Sequence, residues 1–138
     1  MQTKTRSTVT VDRELSVMVA NTPGQLARAT SALGLAGVNL FGVMTVNVGA
    51  KACLRFIPGA AVEARARLED AGFRVSERPV FRFPLPKGGT ALDELATALG
   101  ERGINILSCY GHEEAGALQL VLAVDRPDEA APLIETLG

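Results

Sequence analysis

The sequence predicts an α+β protein made of two ferredoxin-like βαββαβ modules in tandem. Each module is expected to be an antiparallel sheet with both helices on one face. Three observations carry this. The chain matches itself without a gap at an offset of 66 residues. Within each half, stretches of alternating hydrophobicity exchange with stretches of helical period in the order β-α-β-β-α. Glycines close the helices at matching places in the two halves.

The offset aligns Leu15–Gly72 with Phe81–Gly138, and eleven of those 58 pairs are identical. Among them are Leu26/Leu92, Leu33/Leu99, Gly37/Gly103, Asn39/Asn105, Leu54/Leu120 and Ala64/Ala130. The coincidence of apolar positions says more than the identities, because a repeat preserves its core pattern before its surface.

In the first half, residues 15–20 alternate and are rich in strand formers, so they read as a strand. Asn21-Thr22-Pro23-Gly24 breaks it, with Thr22 as helix cap and Pro23 at the first helical position. Leu26, Ala29, Thr30 and Leu33 follow at helical spacing, and Gly37 is the expected stop. Residues 40–46 and 51–57 read as strands joined by a tight turn around Asn47–Ala50. Residues 60–71 read as a second helix, with Val62, Ala66 and Leu68 among its apolar residues and Gly72 behind it. Phe73–Glu77 starts a fourth strand. The second half repeats this with a strand at Val80–Leu85, a helix at Thr90–Arg102 ending at Gly103, and strands at Ile106–His112 and Ala117–Val124. A last helix, Pro127–Leu137, is expected to be capped by Asp125.

The domain reading is therefore an N-terminal strand or arm at 1–12, a first module at 13–78 and a second at 79–138. The second module has no counterpart of Phe73–Glu77, because the offset would place it past the last residue. An open sheet edge of that kind is normally covered. Ser7–Val11 alternates Thr and Val and has high strand propensity. It is the expected substitute, supplied by its own chain or a partner's.

Composition narrows the function classes. A module of roughly 60–70 residues buries only about 60% of its unfolded surface, so two modules packed together are expected to share a core. With a net charge of −1, five Phe, one Tyr and no Trp, the chain lacks the basic surface and aromatic sheet face of an RNA-binding module. No apolar run approaches the roughly 18 residues of a membrane span, and no apolar stretch follows the basic N-terminus as a signal peptide would require. Cys53 and Cys109 have no metal-ligand spacing, which suits a reduced, cytoplasmic protein. Neither a nucleic-acid nor a membrane partner is expected.

At the first strand-to-helix turn the residues are Val19-Ala20-Asn21-Thr22-Pro23-Gly24-Gln25-Leu26, followed by Leu33 and Gly37-Val38-Asn39-Leu40. This pattern resembles the ACT domain: an apolar strand, a polar residue, x-Pro-Gly-x-Leu, a helix, then Gly-(Ile/Val)-Asn-(Ile/Leu). Asn21 stands where many members carry Asp. The second half keeps Leu92, Leu99 and Gly103-Ile104-Asn105-Ile106 but has Lys87-Gly88-Gly89-Thr90 in place of the Pro-Gly turn. The resemblance covers residues 13–138. It implies a small non-catalytic regulator, similar to the glycine-cleavage repressor-like group, that binds an amino acid or related small molecule and reports it to an enzyme or transcription factor. It also implies sites in the strand-to-helix loops completed by a neighbouring module, and hence a homodimer.

Physical chemistry supports the same residues. A helix N-terminus offers unpaired N–H groups and partial positive charge to a carboxylate. The candidate ligand-binding residues are Asn21, Thr22, Pro23, Gly24, Gln25, Leu26, Asn39 and Leu40 in the first module. In the second they are Lys87, Gly88, Gly89, Thr90 and Asn105. Lys87 could supply a counter-charge, whereas Gly88-Gly89 with one Lys is far from a phosphate loop. No catalytic residue, metal ligand or cofactor is expected: His112 has no convergent partner. Both cysteines are expected to be buried or half-buried inert thiols. Arg65, Arg67, Arg74, Arg78 and Arg82, interleaved with acids, are expected on a solvated face. The rival readings are an assembly module with a vestigial site and a small enzyme on the same fold.

Overall fold

The computed structural model describes residues 9–35 and 38–137. The fold is α+β, with antiparallel strand pairs and four helices. Its elements run β1 (Thr10–Ala20), α1 (Gln25–Leu35), β2 (Leu40–Val48), β3 (Lys51–Pro58), α2 (Ala61–Asp70) and β4 (Val75–Pro86). They continue with α3 (Gly88–Glu101), β5 (Ile106–Glu114), β6 (Ala117–Val124) and α4 (Pro127–Leu137).

The chain divides into two compact units. One is Arg13–Arg78. The other takes Pro79 onward together with the N-terminal residues through Asp12. In the first unit the hydrogen-bonded strand order is β2-β3-β1-β4, and in the other it is β1-β4-β6-β5. The first order is that of a split βαβ, in which α1 and α2 each cross from one strand to a non-adjacent one; in the second, α3 crosses in the same way from β4 to β5, and no described strand follows α4.

Each unit has its own core, built from the expected periods, rather than the single shared core expected. In Arg13–Arg78, Leu15, Val17 and Val19 of β1 and Ala52, Leu54 and Phe56 of β3 are buried on one sheet face. Ala29 and Leu33 of α1, and Ala64 and Leu68 of α2, close over them. In each helix the buried pair is four residues apart, the spacing that stacks two side chains on one face. In the other unit the same offset holds: Phe81, Phe83, Leu85, Leu120 and Leu122 of the strands lie with Leu95, Leu99, Ala130 and Ile134 of the helices. Helices α2 and α3 close alike. Gly72 (φ +95) and Gly103 (φ +70) take the left-handed position, and the next residue's N–H reaches back to Leu68 and Leu99 respectively.

Several local expectations are corrected. The first helix begins at Gln25, because Arg28 N–H bonds to Gly24 O, so Pro23 lies in the preceding turn and Thr22 is not its cap. Helix α3 spans Gly88–Glu101 rather than 90–102. In α2 it is Ala64 and Leu68 that are buried, while Val62 is 88% exposed and Ala66 is also exposed. Asp125 does not cap α4: its Oδ1 accepts the Asn105 N–H (3.0 Å), and Arg126 O accepts the first helical bond. The stop expected at Gly37 lies outside the described residues.

The largest difference concerns the long strands. The segments expected as separate strands at 73–77 and 80–85 are one strand, β4, of 12 residues. Likewise β1 runs unbroken from Thr10 to Ala20, joining the second half of the expected arm to the expected first strand. Residues 7 and 8 lie outside the described residues. Val9 packs on the Pro79–Gly138 core, and Asp12 pairs with Arg82 at 2.5 Å.

Arg67 and Arg74 are exposed as expected, whereas Arg65, Arg78 and Arg82 are partly buried and ion-paired. Arg78 and Arg55 hold the buried carboxylate of Glu14 at 2.8 and 3.2 Å. Arg65 and Arg13 share Glu77, each at 2.8 Å. Hydrogen bonds from Arg13 and then Arg65 hold the Glu77 carboxyl below its ordinary 4.5. A depressed folded-state pKa adds stability above the unfolded value that is lost as pH falls through the folded one. Glu77→Gln is therefore expected to melt below wild type at pH 7 and level with it near pH 2. A melting difference that persists undiminished in acid would show that the pair contributes nothing through its charge.

Candidate functional site

In Arg13–Arg78, the loop after β1 is tied to the β2–β3 hairpin. Asn21 N–H donates to Ala50 O (2.9 Å), and Asn21 Nδ2 makes a long contact of 3.5 Å with Gly49 O. Gln25 Nε2 donates to Thr22 Oγ1 (3.0 Å), and Arg28 Nη2 donates to Gln25 Oε1 (3.3 Å). The Arg28 guanidinium lies 4.1 Å from the Phe73 ring centroid, a cation–π contact that anchors this chain of side chains. Asn21, Thr22, Pro23, Gly24 and Leu26 are all exposed at the mouth of α1. The loop is thus preformed and open, with the first-turn N–H groups of the helix directed out of it.

In the unit that begins at Pro79, the corresponding loop borders a cavity of about 290 Å³ lined by Lys87, Gly88, Gly89, Glu113, Gly116, Ala117 and Leu118. Lys87 is left-handed (φ 55), and its carbonyl accepts from Thr90 and Ala91 N–H (3.0 and 3.2 Å), which starts α3. Gly88 brings the helix start against the sheet: a Cβ there would stand 2.7 Å from Leu118 Cβ. Gly89 has open space around it. The opposite wall is the β5–β6 hairpin, whose Ala115 and Gly116 (φ 56 and 79) form a two-residue turn. The cavity thus combines a lysine, a carboxylate and the N-terminal end of a 14-residue helix.

Three solved structures resemble the whole chain. A Bacteroides thetaiotaomicron protein matches with a TM-score of 0.84 at 22% identity, over 94% of this chain and 90% of that one. The regulatory subunit of aspartate kinase from Thermus thermophilus, in a ligand-free form, matches at 0.68 and 13% identity, over 96% and 95%. The same subunit from Thermus flavus matches at 0.63 and 15%, over 97% and 99%. No protein-family model matches the sequence. No curated protein matches it either.

The chain has an ACT-type fold.

Within each unit the candidate residues fall at two ends. Ala20 pairs with Lys51 and Val48 with the same Lys51, whereas Leu40 pairs with Pro58. Asn21–Leu26 therefore lies at the hairpin end of the sheet and Asn39–Leu40 at the opposite end. Pro86 pairs with Ala117 and Ile106 with Val124, so Lys87–Thr90 and Asn105 are separated in the same way. The backbones of Asn39 and Asn105 have local partners. Asn39 O accepts Gly59 N–H (2.9 Å), and Asn105 O accepts Asp125 N–H (3.1 Å). Both residues are exposed. Lys87, Gly88 and Gly89 share the cavity.

Sequence reasoning missed the far wall of that cavity. Glu113, Gly116, Ala117 and Leu118 belong to a hairpin more than twenty residues away in the chain, and only the ladder of β6 on β4 brings them to Lys87. The Ala-Gly turn was the available signal. His112 is exposed and contacts Glu114 (3.2 Å). Cys53 is buried, whereas Cys109 is exposed, contrary to expectation. Desolvation still pushes the Cys109 thiol pKa upward, so it is protonated at neutral pH. Among the described residues no three His, Cys, Asp or Glu form a metal-binding group. No described helix is long and apolar enough to cross a membrane.

Proposed function

We propose that this chain is a non-catalytic regulator of two ACT-type modules in tandem, one from residue 13 to 78 and one from 79 to 138 with the N-terminal strand added. It binds an amino acid or a similar zwitterion at its strand-to-helix loops and reports occupancy to an enzyme or transcription factor in the cytoplasm. The observation that carries this reading is the cavity at the start of α3. Gly88 and Gly89 N–H groups and Lys87 suit a carboxylate, while Glu113 across the cavity suits an ammonium group. The Thermus neighbours are themselves regulatory subunits, and the two free thiols fit a reducing compartment.

A thermal-shift screen of the twenty amino acids tests it. A ligand at about 100 times its dissociation constant adds roughly 2.7 kcal/mol of stability. Gly89→Leu fills the cavity from a position with open space around it, so the variant is expected to fold and to lose the shift. No stabilisation by any amino acid would leave an assembly module. A full shift in Gly89→Leu would move the site to the Asn21–Leu26 loop.

A further inference from the structure

Under the 66-residue offset, the loop residues Asn21 and Thr22 correspond to Lys87 and Gly88. The hairpin residues Asn47 and Ala52, which pair across β2 and β3, correspond to Glu113 and Leu118, which pair across β5 and β6. Loop and hairpin therefore change together. Where the first unit has an amide on each, the second has a cation on the loop and an anion on the hairpin. Where the first has threonine on the loop and a buried alanine on the strand, the second has glycine on the loop and leucine on the strand. The bulk changes sides for a physical reason. A Cβ on Gly88 would stand 2.7 Å from Leu118 Cβ, so the two positions cannot both carry large side chains. The hydrogen-bonded chain Thr22–Gln25–Arg28 has no counterpart either, because its positions become Gly88, Ala91 and Glu94. Matched changes in charge and volume are what two sites of different specificity require.

We propose that the cavity beside α3 selects amino acids with an uncharged aliphatic side chain, and that the loop of the first unit does not take the same ligand. This selectivity rests on the reading of the cavity as the ligand site. Lys87 and Glu113 are the charged residues among those described as lining it. A bound amino acid occupies both, its carboxylate toward Lys87 and its ammonium toward Glu113. The rest of the described lining is Gly88, Gly89, Gly116, Ala117 and Leu118, which offers no counter-charge to a third ionised group. Glu114, next in the chain, is engaged with His112 at 3.2 Å. A lysine or glutamate side chain would lie against Leu118 and glycine with its charge unpaired, which costs affinity. An aliphatic side chain buries apolar surface on Leu118 instead. The volume of about 290 Å³ stands near the low end of small-molecule sites and limits the ligand to amino-acid size. At the positions equivalent to Lys87 and Glu113 the first unit has two neutral amides, so a zwitterion finds neither counter-charge there.

Calorimetric titration of the whole chain with L-leucine is expected to fit one site per chain. L-lysine, L-glutamate, isocaproate (leucine without its ammonium) and isoamylamine (leucine without its carboxylate) are each expected to bind roughly tenfold more weakly or worse. Glu113→Gln is expected to weaken leucine by a similar factor, while Asn47→Ala, at the equivalent position of the first unit, leaves it unchanged. Both side chains are exposed, so neither change disturbs a core, and the comparison among wild-type titrations needs no variant. Several results would overturn the selectivity and still leave an amino-acid sensor. These are lysine or glutamate binding as tightly as leucine, two equal leucine sites per chain, equal losses in Glu113→Gln and Asn47→Ala, or a chain that binds another amino acid and not leucine. Absence of binding by every amino acid would instead remove the sensor reading, and the selectivity with it.

Discussion

Gly111→Ala is expected to be the most damaging small substitution in the protein, lowering stability by about 3 kcal/mol. A Cβ at Gly111 would stand 2.2 Å from Gln119 O and 3.1 Å from both Gln119 C and Leu120 Cα. All three are backbone atoms of the paired strand β6, so no side-chain rotation relieves the clash. The β5–β6 ladder, in which Gly111 faces Leu120, has to part. In a chain of this size the melting temperature should drop by about 10 °C. Gly100→Ala is the control. It lies in helix α3 with nothing within 4 Å of an added Cβ, so alanine should add up to about 1 kcal/mol through helix propensity. Equal melting temperatures for wild type and Gly111→Ala would show that β5 and β6 separate at that point without cost. Because β5 and β6 also wall the Lys87 cavity, the variant should lose any ligand-induced shift as well.

Removing residues 1–12 is expected to be comparably severe, although it touches neither strand-to-helix loop. The deletion takes away the start of β1, the packing of Val9 on the core of the Pro79–Gly138 unit, and the Asp12 carboxylate that pairs with Arg82. Val9 is only half-buried, so its packing contributes part of a fully buried valine's about 1.5–3 kcal/mol, and each net hydrogen bond adds roughly 1 kcal/mol. The loss should reach about 3 kcal/mol, which is again about 10 °C in melting temperature. The part of β4 beside Thr10–Asp12 would lose its neighbouring strand, and an uncovered edge invites aggregation. The prediction fails if the shortened chain melts with wild type and remains monodisperse on heating to just below that temperature.

Sequence alone determined what depends on local periodicity. The 66-residue offset carries Ala29 and Leu33 onto Leu95 and Leu99, and Ala64 and Leu68 onto Ala130 and Ile134; all eight are buried. That was legible for Ala29 and Leu33, because the face a side chain takes is set by its neighbours three or four positions away, whereas in α2 the reading named Val62 and Ala66 and not Ala64. The strand-to-helix loops were legible to within two or three residues, because turn residues mark where a strand breaks, although neither Thr22 nor Asp125 caps a helix. What only the tertiary structure decided involves atoms distant in the chain. Alternation marks the two ends of β4 but not whether the ladder runs through Arg78 and Pro79 between them; pairing with neighbouring strands decides that. Arg78 and Arg82 read as solvated until Glu14 and Asp12, more than sixty residues away, are found beside them. Glu113 joins Lys87 only through the β4–β6 ladder. Gly111 corresponds to Thr45, a residue with a side chain, so nothing in the repeat announces that one hairpin brings its strands too close for a Cβ and the other does not. Periodicity is a property of neighbours in sequence. Close approach, ion pairing and the walls of a cavity are properties of neighbours in space, and chain topology alone makes those neighbours.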